Sequence, residues 1–200
     1  MANADRPAGL SPVAYLNGAK WTGGGRVFHV PSTNTDALAK GDPVVLSGTS
    51  DGNGVASVTL ATAGTTNLVT GAIIGMGGTV YGSGYYDPAN LSLSVIPATK
   101  TKDYYVLVED DPNVIFEIQE VSGGTALTAT AVGLNASLVS GTNNGFVSGW
   151  ELDNGTEATT AALQLKLLGL VQRKDNAFGE HAKWLVIINN HSYRTGVAGA

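Results

Sequence analysis

The chain has no cysteine, few charged residues and no long apolar run. The absence of cysteine excludes disulfides, thiolate metal sites and a cysteine nucleophile. Only 14% of its 200 residues are charged, against roughly 25% in an average soluble domain, and the net charge is −5. An acidic chain of this kind is not expected to bind nucleic acid, which requires clustered Lys and Arg. The sequence predicts no membrane span and no signal peptide, since apolar runs of the required length are missing.

The sequence is rich instead in glycine, with 27 residues, and in short β-prone runs separated by turn signals. Examples of such runs are residues 43–47, 55–61 and 183–191. Asp-Gly and Asn-Gly within residues 50–54 are strong signals for a hairpin turn. No sustained helical periodicity appears. The pattern predicts an all-β fold, either a jelly roll or a barrel-like β-sandwich.

Prolines and glycines near the start set an N-terminal segment apart, and a run of small residues marks the C-terminal end. We expect an extended N-terminal arm at residues 1–25, a β domain at 26–191 and a short C-terminal tail at 192–200. The apolar side chains of the arm need burial, and two alternatives remain open: the arm packs on its own domain or on a neighbouring protein. The residues that we select as a candidate interface are Leu10, Val13, Tyr15, Leu16 and Trp21.

Residues 103–120 give the clearest local prediction, a strand, an Asp-Asp-Pro-Asn turn and a second strand. We expect this hairpin at the centre of the domain. Its predicted core residues are Val106, Val108, Phe116 and Ile118.

Four other segments carry weaker predictions. Residues 163–173 suggest a strand with a bulge at Gly169. Residues 35–42 suggest one helical turn that stops at Gly41, and residues 125–133 suggest a short helix. Residues 77–90, rich in Gly and Tyr, are expected to form a long loop.

Known catalytic and metal-binding patterns are missing from the sequence. There is no Gly-x-Ser-x-Gly nucleophile elbow, and no two of His29, His181 and His191 have metal-ligand spacing. Glu117 and Glu151 could form a glycosidase pair only if the fold brought them together, and their local sequence does not mark them. We therefore predict that the protein is not an enzyme and has no catalytic residue, cofactor or metal ligand.

Two further groups of residues have ordinary structural interpretations. The acidic run at residues 109–111 is expected to form a turn rather than a calcium site. Trp21, Trp150 and Trp184 are expected in the core, although three tryptophans could also form a platform for sugars.

A set of segments, taken in chain order, resembles small structural proteins of tailed bacteriophages. The set comprises MANADRPAGLSPVAYLNGA, GDPVVLSG, VTLATAG followed by VTGAIIG, YYVLVEDDPNVIFEIQE, VGLNASLVSG, SGWELD, LKLLGLVQRKDNAFGEHAKWLVIINNH and TGVAGA. The family that it resembles is that of the head decoration or cement proteins, and the likeness covers essentially the whole chain. VEDDPNVIFEIQE is its most distinctive segment.

The resemblance implies a jelly-roll or barrel-like module on the outer surface of the virion. Its partner would be the major capsid protein, and it would form a homo-oligomer, a dimer or a trimer, with no nucleic acid or membrane partner. Such a protein is made in the cytoplasm of the host bacterium. It clamps neighbouring coat subunits and carries no catalytic residues. A head-exposed carbohydrate-binding β module is the alternative function.

Overall fold

The computed structural model describes residues 3–77 and 93–194, together with the backbone of the strands at 80–81 and 85–86. The regular secondary structure of this part is β-strand apart from one 3₁₀ turn, so the predicted all-β class is confirmed. A closed barrel packs beside a five-stranded sheet, which is a barrel-like sandwich architecture. Within the described residues, no helix is long and apolar enough to cross a membrane.

The described residues form sixteen strands and one 3₁₀ turn. The strands are β1 (Ser11–Tyr15), β2 (Arg26–Val30), β3 (Leu38–Ala39), β4 (Pro43–Ser50), β5 (Ala56–Leu60), β6 (Gly71–Gly77), β7 (Val80–Tyr81), β8 (Tyr85–Tyr86), β9 (Val95–Ile96), β10 (Tyr104–Glu109), β11 (Val114–Gln119), β12 (Asn135–Ala136), β13 (Leu138–Val139), β14 (Glu151–Leu152), β15 (Leu165–Leu170) and β16 (Lys183–Ile188). The 3₁₀ turn spans Ala129–Ala131.

The barrel closes in the strand order β10, β2, β5, β4 and β6. Its pairs are antiparallel except β2 with β5, which is parallel. The short ribbon of β3 and β9 adds Leu38 and Ile96 to the barrel core. The remaining buried members of that core are Phe28, Val30, Val44, Val58, Ile73, Met76, Val106 and Val108. Closure of the barrel lets neighbouring strands pair the backbone N–H and C=O groups that an open sheet edge would leave unpaired.

The second layer is the sheet β1-β11-β16-β15-β12, and all its pairs are antiparallel. Alternation along β11 places Phe116 and Ile118 in a core around Trp184. Glu117 and Gln119 lie on the opposite face of the strand, as the period of two predicts. This polar face borders the N-terminal segment and the loop before β16, from which Arg173 pairs with Glu117.

The segment at residues 103–120 is correct as strand, turn and strand, but its two strands do not form a hairpin. β10 pairs with β2 and β6 in the barrel, whereas β11 pairs with β1 and β16 in the sheet. All four predicted core residues are buried, two in each core. The Asp-Asp-Pro-Asn turn is therefore the corner at which the chain passes from barrel to sheet. The prediction that the two strands pair with each other is wrong.

Three local predictions have different outcomes. The helical turn at residues 35–42 is wrong, because Leu38–Ala39 form a strand and the Asp42 carboxylate accepts the N–H of Ala39 at 2.7 Å. Gly41 does adopt a left-handed φ of +92°, but it follows a strand. Residues 125–133 contain the 3₁₀ turn. The bulge in the 163–173 strand is confirmed by a register shift between Leu167 and Gly169.

The predicted arm contains β1, which forms the edge of the five-stranded sheet. Its outer side is covered by residues 19–21: Tyr15 N–H donates to Ala19 and Trp21 N–H donates to Val13. Much of the predicted loop at 77–90, and residues 195–200 of the predicted tail, lie outside the described residues. The start of the tail is tied to the domain, since Ser192 N–H donates to the carbonyl of Val69.

Candidate functional site

The five candidate interface residues occupy three environments. Leu10 is 0% exposed and belongs to the core beneath the sheet. Tyr15 and Trp21 are partly buried against the same core. Val13 and Leu16 are 37% and 47% exposed. The arm thus packs on its own domain, and two of its apolar side chains remain on the surface.

Trp21 is held in place by a buried carboxylate. Its indole N–H donates to Oε2 of Glu109, whose Oε1 accepts the backbone N–H of Asp111 at 3.2 Å. Burial raises the pKa of Glu109, and these two hydrogen bonds act against that rise. The predicted acidic turn is confirmed as a structural element, because its residues bond backbone and indole N–H groups.

Glycine allows the N-terminal segment to cross the barrel in direct backbone contact. The N–H of Leu10 donates to the carbonyl of Gly41 at 2.9 Å. A Cβ at Gly9 would lie 2.1 Å from that same carbonyl oxygen, and the φ of Gly9 is +63°. Only glycine fits this crossing, which fixes Leu10 in the core and places the following residues beside the barrel.

An apolar groove of about 270 Å³ opens between the N-terminal segment and the barrel. We define it by its apolar lining residues, Leu10, Pro12, Trp21, Ile73, Ile74 and Val147. Lys40, which is exposed, also lines it. The groove is adjacent to the backbone of Val13, whose carbonyl accepts the N–H of the lining residue Trp21, whereas Leu16 lines a separate depression with Asp111 and Asn113.

Phe146 stands beside the apolar groove and is 70% exposed. Its turn is well fixed, because the Asn144 side chain accepts the N–H groups of both Phe146 and Val147 at 3.0 Å. Behind the turn, the Ser148 N–H donates to the carbonyl of Lys40 at 2.8 Å. A large aromatic side chain held in water on a rigid turn is typical of a protein contact surface.

The turn that carries Phe146 is also tied to a buried acid. Asp42 is buried, and the Ser148 hydroxyl hydrogen-bonds to it. Burial raises the pKa of Asp42 to about 6, although hydrogen bonds from Ser148 and the Ala39 N–H oppose the rise. This acid therefore connects the barrel entrance to the loop beside the apolar groove.

The structure brings together one serine, histidine and aspartate that the sequence did not link. Nδ1 of His29 lies 2.8 Å from Oγ of Ser57, and Nε2 lies 3.3 Å from Oδ2 of Asp103. A hydrolase needs its serine open to substrate and its aspartate buried. Here Ser57 is buried and Asp103 is exposed, which is the reverse arrangement. The geometry favours a structural network on the barrel wall.

A neighbouring tyrosine extends this network. The Tyr105 ring lies 5.4 Å from that of His29, and its hydroxyl donates to Asp51 at 2.7 Å. Burial, and then the bond to Asp51, raise the pKa of Tyr105 to about 12. Asp51 also accepts the N–H groups of Asn53 and Val55, so it closes the turn between β4 and β5.

The glycosidase pair considered from sequence is engaged in other contacts. Glu117 forms ion pairs with Arg173 at 2.9 Å and Lys183 at 3.4 Å. Glu151 instead accepts the side-chain amide of Gln119 at 2.9 Å. Of the tryptophans, Trp150 and Trp184 are buried, which agrees with the predicted core role.

Sequence reasoning missed the groove residues outside the arm. Ile74 and Val147 lie far from Trp21 in the sequence, and no local pattern links them to it. The Asn-Asn-Gly turn before Phe146 was the one available signal, since it marks a loop with an exposed aromatic residue.

No family model, no curated protein and no solved structure matches this chain.

Proposed function

We propose that the chain is a capsid decoration protein of a tailed bacteriophage. In this proposal it binds the outer surface of the assembled head, as a dimer or trimer, and strengthens contacts between major capsid protein subunits. The observation that carries the proposal is the exposure of apolar side chains in and around the N-terminal segment: the apolar groove, Phe146 beside it, and Val13 and Leu16 on the arm. Such a surface suits contact with another protein.

The electrostatics of the chain support the same function. The net charge of −5 suits the outer face of a shell better than a face that contacts DNA. Contacts made by Val13, Leu16 and Phe146 would be mainly apolar. Binding should therefore change little as salt rises through the physiological range.

The resemblance of the ordered sequence segments supports the choice of partner. A decoration protein needs no chemistry, because its site exists only where coat subunits meet. Preferential binding to the assembled lattice shifts the assembly equilibrium towards the shell by mass action. Each copy needs to contribute only a modest free energy, since a shell offers many equivalent sites.

The test adds purified protein to expanded, undecorated shells and, separately, to isolated coat subunits. We expect tighter binding to shells and a higher temperature of shell disruption. Phe146→Ser and Leu16→Ser should weaken shell binding at least about tenfold, since each removes an exposed apolar contact. Equal affinity for subunits and shells, or an unchanged disruption temperature, would remove the proposal.

Val132→Ser is the matched control for these two variants. Val132 is 46% exposed, close to the exposure of Leu16. It belongs to the turn next to β15 and β12, at the sheet edge opposite β1. Its substitution should leave shell binding unchanged. If Val132→Ser weakens binding as much as Phe146→Ser, the surface assigned here is wrong.

A further inference from the structure

Three side chains that are far apart in sequence meet at one end of the sheet's polar face. Asp5 comes from the N-terminal segment, Glu151 from β14 and His181 from the turn before β16. One oxygen of each carboxylate and one ring nitrogen of the histidine all lie within 4.8 Å of one another. Oδ1 of Asp5 is 3.5 Å from Nδ1 of His181.

We propose that Asp5, Glu151 and His181 form a binding site for a zinc-like divalent cation, which fastens the N-terminal segment to the sheet. The inference is independent of the proposed function, because the three residues lie outside the apolar groove. The three residues have no metal-ligand spacing in the sequence, since residues 5, 151 and 181 meet only through the fold.

The distances fit tetrahedral coordination. Two ligands that each lie roughly 2.0–2.1 Å from a tetrahedral zinc ion are roughly 3.4 Å apart. The 3.5 Å between Asp5 and His181 matches this separation. Glu151 completes a set of three, since its ligand oxygen lies within 4.8 Å of the other two ligand atoms. Solvent can supply the fourth ligand, because Asp5 is exposed and the other two residues are partly exposed.

The donor set also selects among cations. One imidazole nitrogen and two carboxylate oxygens suit zinc and the neighbouring transition metals. Calcium takes six to eight oxygen ligands, and magnesium prefers an octahedron of oxygens that includes several waters. Neither finds its preferred ligands in a site with one imidazole and two carboxylates, so both should bind weakly.

The side-chain amide of Gln119 contacts all three proposed ligands. Its Nε2 donates to Oδ1 of Asp5 and to Oε1 of Glu151, both at 2.9 Å, and lies 3.4 Å from Nδ1 of His181. Its Oε1 accepts the N–H of Arg6 at 2.8 Å, which fixes the orientation of the buried amide. The same amide thus holds one oxygen of each carboxylate close to the imidazole ring.

Charge in the cluster favours a cation as well. Two carboxylates this close repel each other unless a positive charge lies between them. A cavity of about 260 Å³ beside His181 gives an ion access from solvent. Of the three cationic residues that line this cavity, Arg173 and Lys183 are paired with Glu117, and the third is Arg6.

The N-terminal segment is placed so that a bound cation would hold it. The Asn3 side chain donates to the carbonyls of Ala177 and Glu180 and accepts the N–H of Ala177. These bonds bring Asp5 to the turn that carries His181. His181 itself has a φ of +60°, which asparagine also tolerates. His181→Asn is therefore a substitution that removes the imidazole without new backbone strain.

The test uses the full-length protein, without a histidine tag, after treatment with a chelator. Zinc chloride is titrated by calorimetry and by thermal unfolding, with calcium and magnesium chloride in parallel. We expect one zinc ion per chain and a rise in unfolding temperature of about 5 °C at hundredfold excess over the dissociation constant. Calcium and magnesium should produce no rise at the same concentrations.

Variants then assign the ligands. Asp5→Asn, Glu151→Gln and His181→Asn should each weaken zinc binding at least about tenfold. Asp175→Asn is the matched control, because Asp175 lines the same cavity without belonging to the ligand set. Asp5 is exposed, so its variant should fold normally and keep the test decisive. Absence of saturable zinc binding, or equal binding by Asp5→Asn and the parent protein, would overturn the site whatever the outcome with shells.

Discussion

The indole N–H of Trp184 donates a hydrogen bond to Oε2 of Glu120 at 2.9 Å, and neither residue is exposed to solvent. Oε1 of the same carboxylate accepts the N–H of Leu127 at 2.8 Å and the amide of Asn154 at 3.3 Å. Glu120 is thus an acceptor for three donors. Through them it joins the end of β11 to β16 and to the loops that follow β11 and β14. Such a buried acid is stable only while its donors remain.

We expect Glu120→Gln to lower the free energy of unfolding by about 2 kcal/mol, because the new NH₂ group would face the indole N–H of Trp184. The cost should be smaller in a Trp184→Phe background, where that donor is absent. Denaturant unfolding of the parent, both single variants and the double variant measures the coupling. Additive effects of the two substitutions would show that the carboxylate and the indole do not act together.

Phe116 and Phe146 provide a matched pair that separates stability from surface function. Phe116→Ala should lower the free energy of unfolding by about 3–5 kcal/mol, because its ring is buried in the sheet core. Phe146→Ala should change it by less than about 0.5 kcal/mol, because that ring lies mostly in water. Chemical denaturation of both variants provides the measurement. A large loss for Phe146→Ala would mean that its turn contributes to the fold.

Leu10 and Leu16 test the same distinction inside the N-terminal arm. Leu10→Ala should lower the free energy of unfolding by about 2–5 kcal/mol, because the side chain fills the core. Leu16→Ala should lower it by well under 1 kcal/mol. For the same reason, deletion of residues 1–22 is expected to destabilise the domain, so point variants are the better test of surface contacts. Equal losses in thermal or denaturant unfolding would contradict the packing described for Leu10.

The sequence predicted the fold class and the buried residues well, because alternation and turn chemistry act locally. Phe116 and Ile118 could be assigned to the core from the period of two alone. The pairing of β10 and β11 could not, since a turn sequence such as Asp-Asp-Pro-Asn suits both a hairpin and a corner between sheets. Only the contacts of β2, β6 and β16, which lie elsewhere in the chain, decide between them.

The surface features were harder to predict, because they also depend on contacts between segments that are far apart in the sequence. Val13 and Leu16 were recognised as apolar residues on an arm, but the crossing at Gly9 and Gly41 decides which arm residues are buried. The cluster of Asp5, Glu151 and His181 has no local pattern at all. Its three residues come from three segments that meet only after the sheet has formed.

Asp42 should make the protein less stable as pH rises. Its pKa is raised from 3.8 to about 6 in the folded state, so the folded chain binds the proton more tightly than the unfolded chain does. The contribution of this group is fully present below about pH 4 and is lost as pH rises through 6, a change of about 3 kcal/mol. Asp42→Asn should remove this contribution, so the stability of the variant relative to the parent should increase as pH rises from 4 to 7. Unfolding curves from pH 4 to 7 test it, and an unchanged pH profile in the variant would refute the assignment.

The titration of His191 should have the opposite effect on the stability of the fold over nearly the same pH range. Burial, with a smaller effect of Arg194, lowers the pKa of this unexposed imidazole from 6.5 to about 4. The unfolded chain therefore binds the proton more tightly between pH 4 and 6.5, and the stability of the fold should rise by about 3 kcal/mol across that interval. Nδ1 accepts the N–H of Tyr193 at 3.1 Å, a bond that the neutral ring provides.

In the parent protein the rise in stability from His191 and the decline from Asp42 should nearly cancel. Each single variant should then reveal the other group: stability should increase with pH in Asp42→Asn and decrease with pH in His191→Asn. If both variants keep the profile of the parent, neither group controls stability in this range.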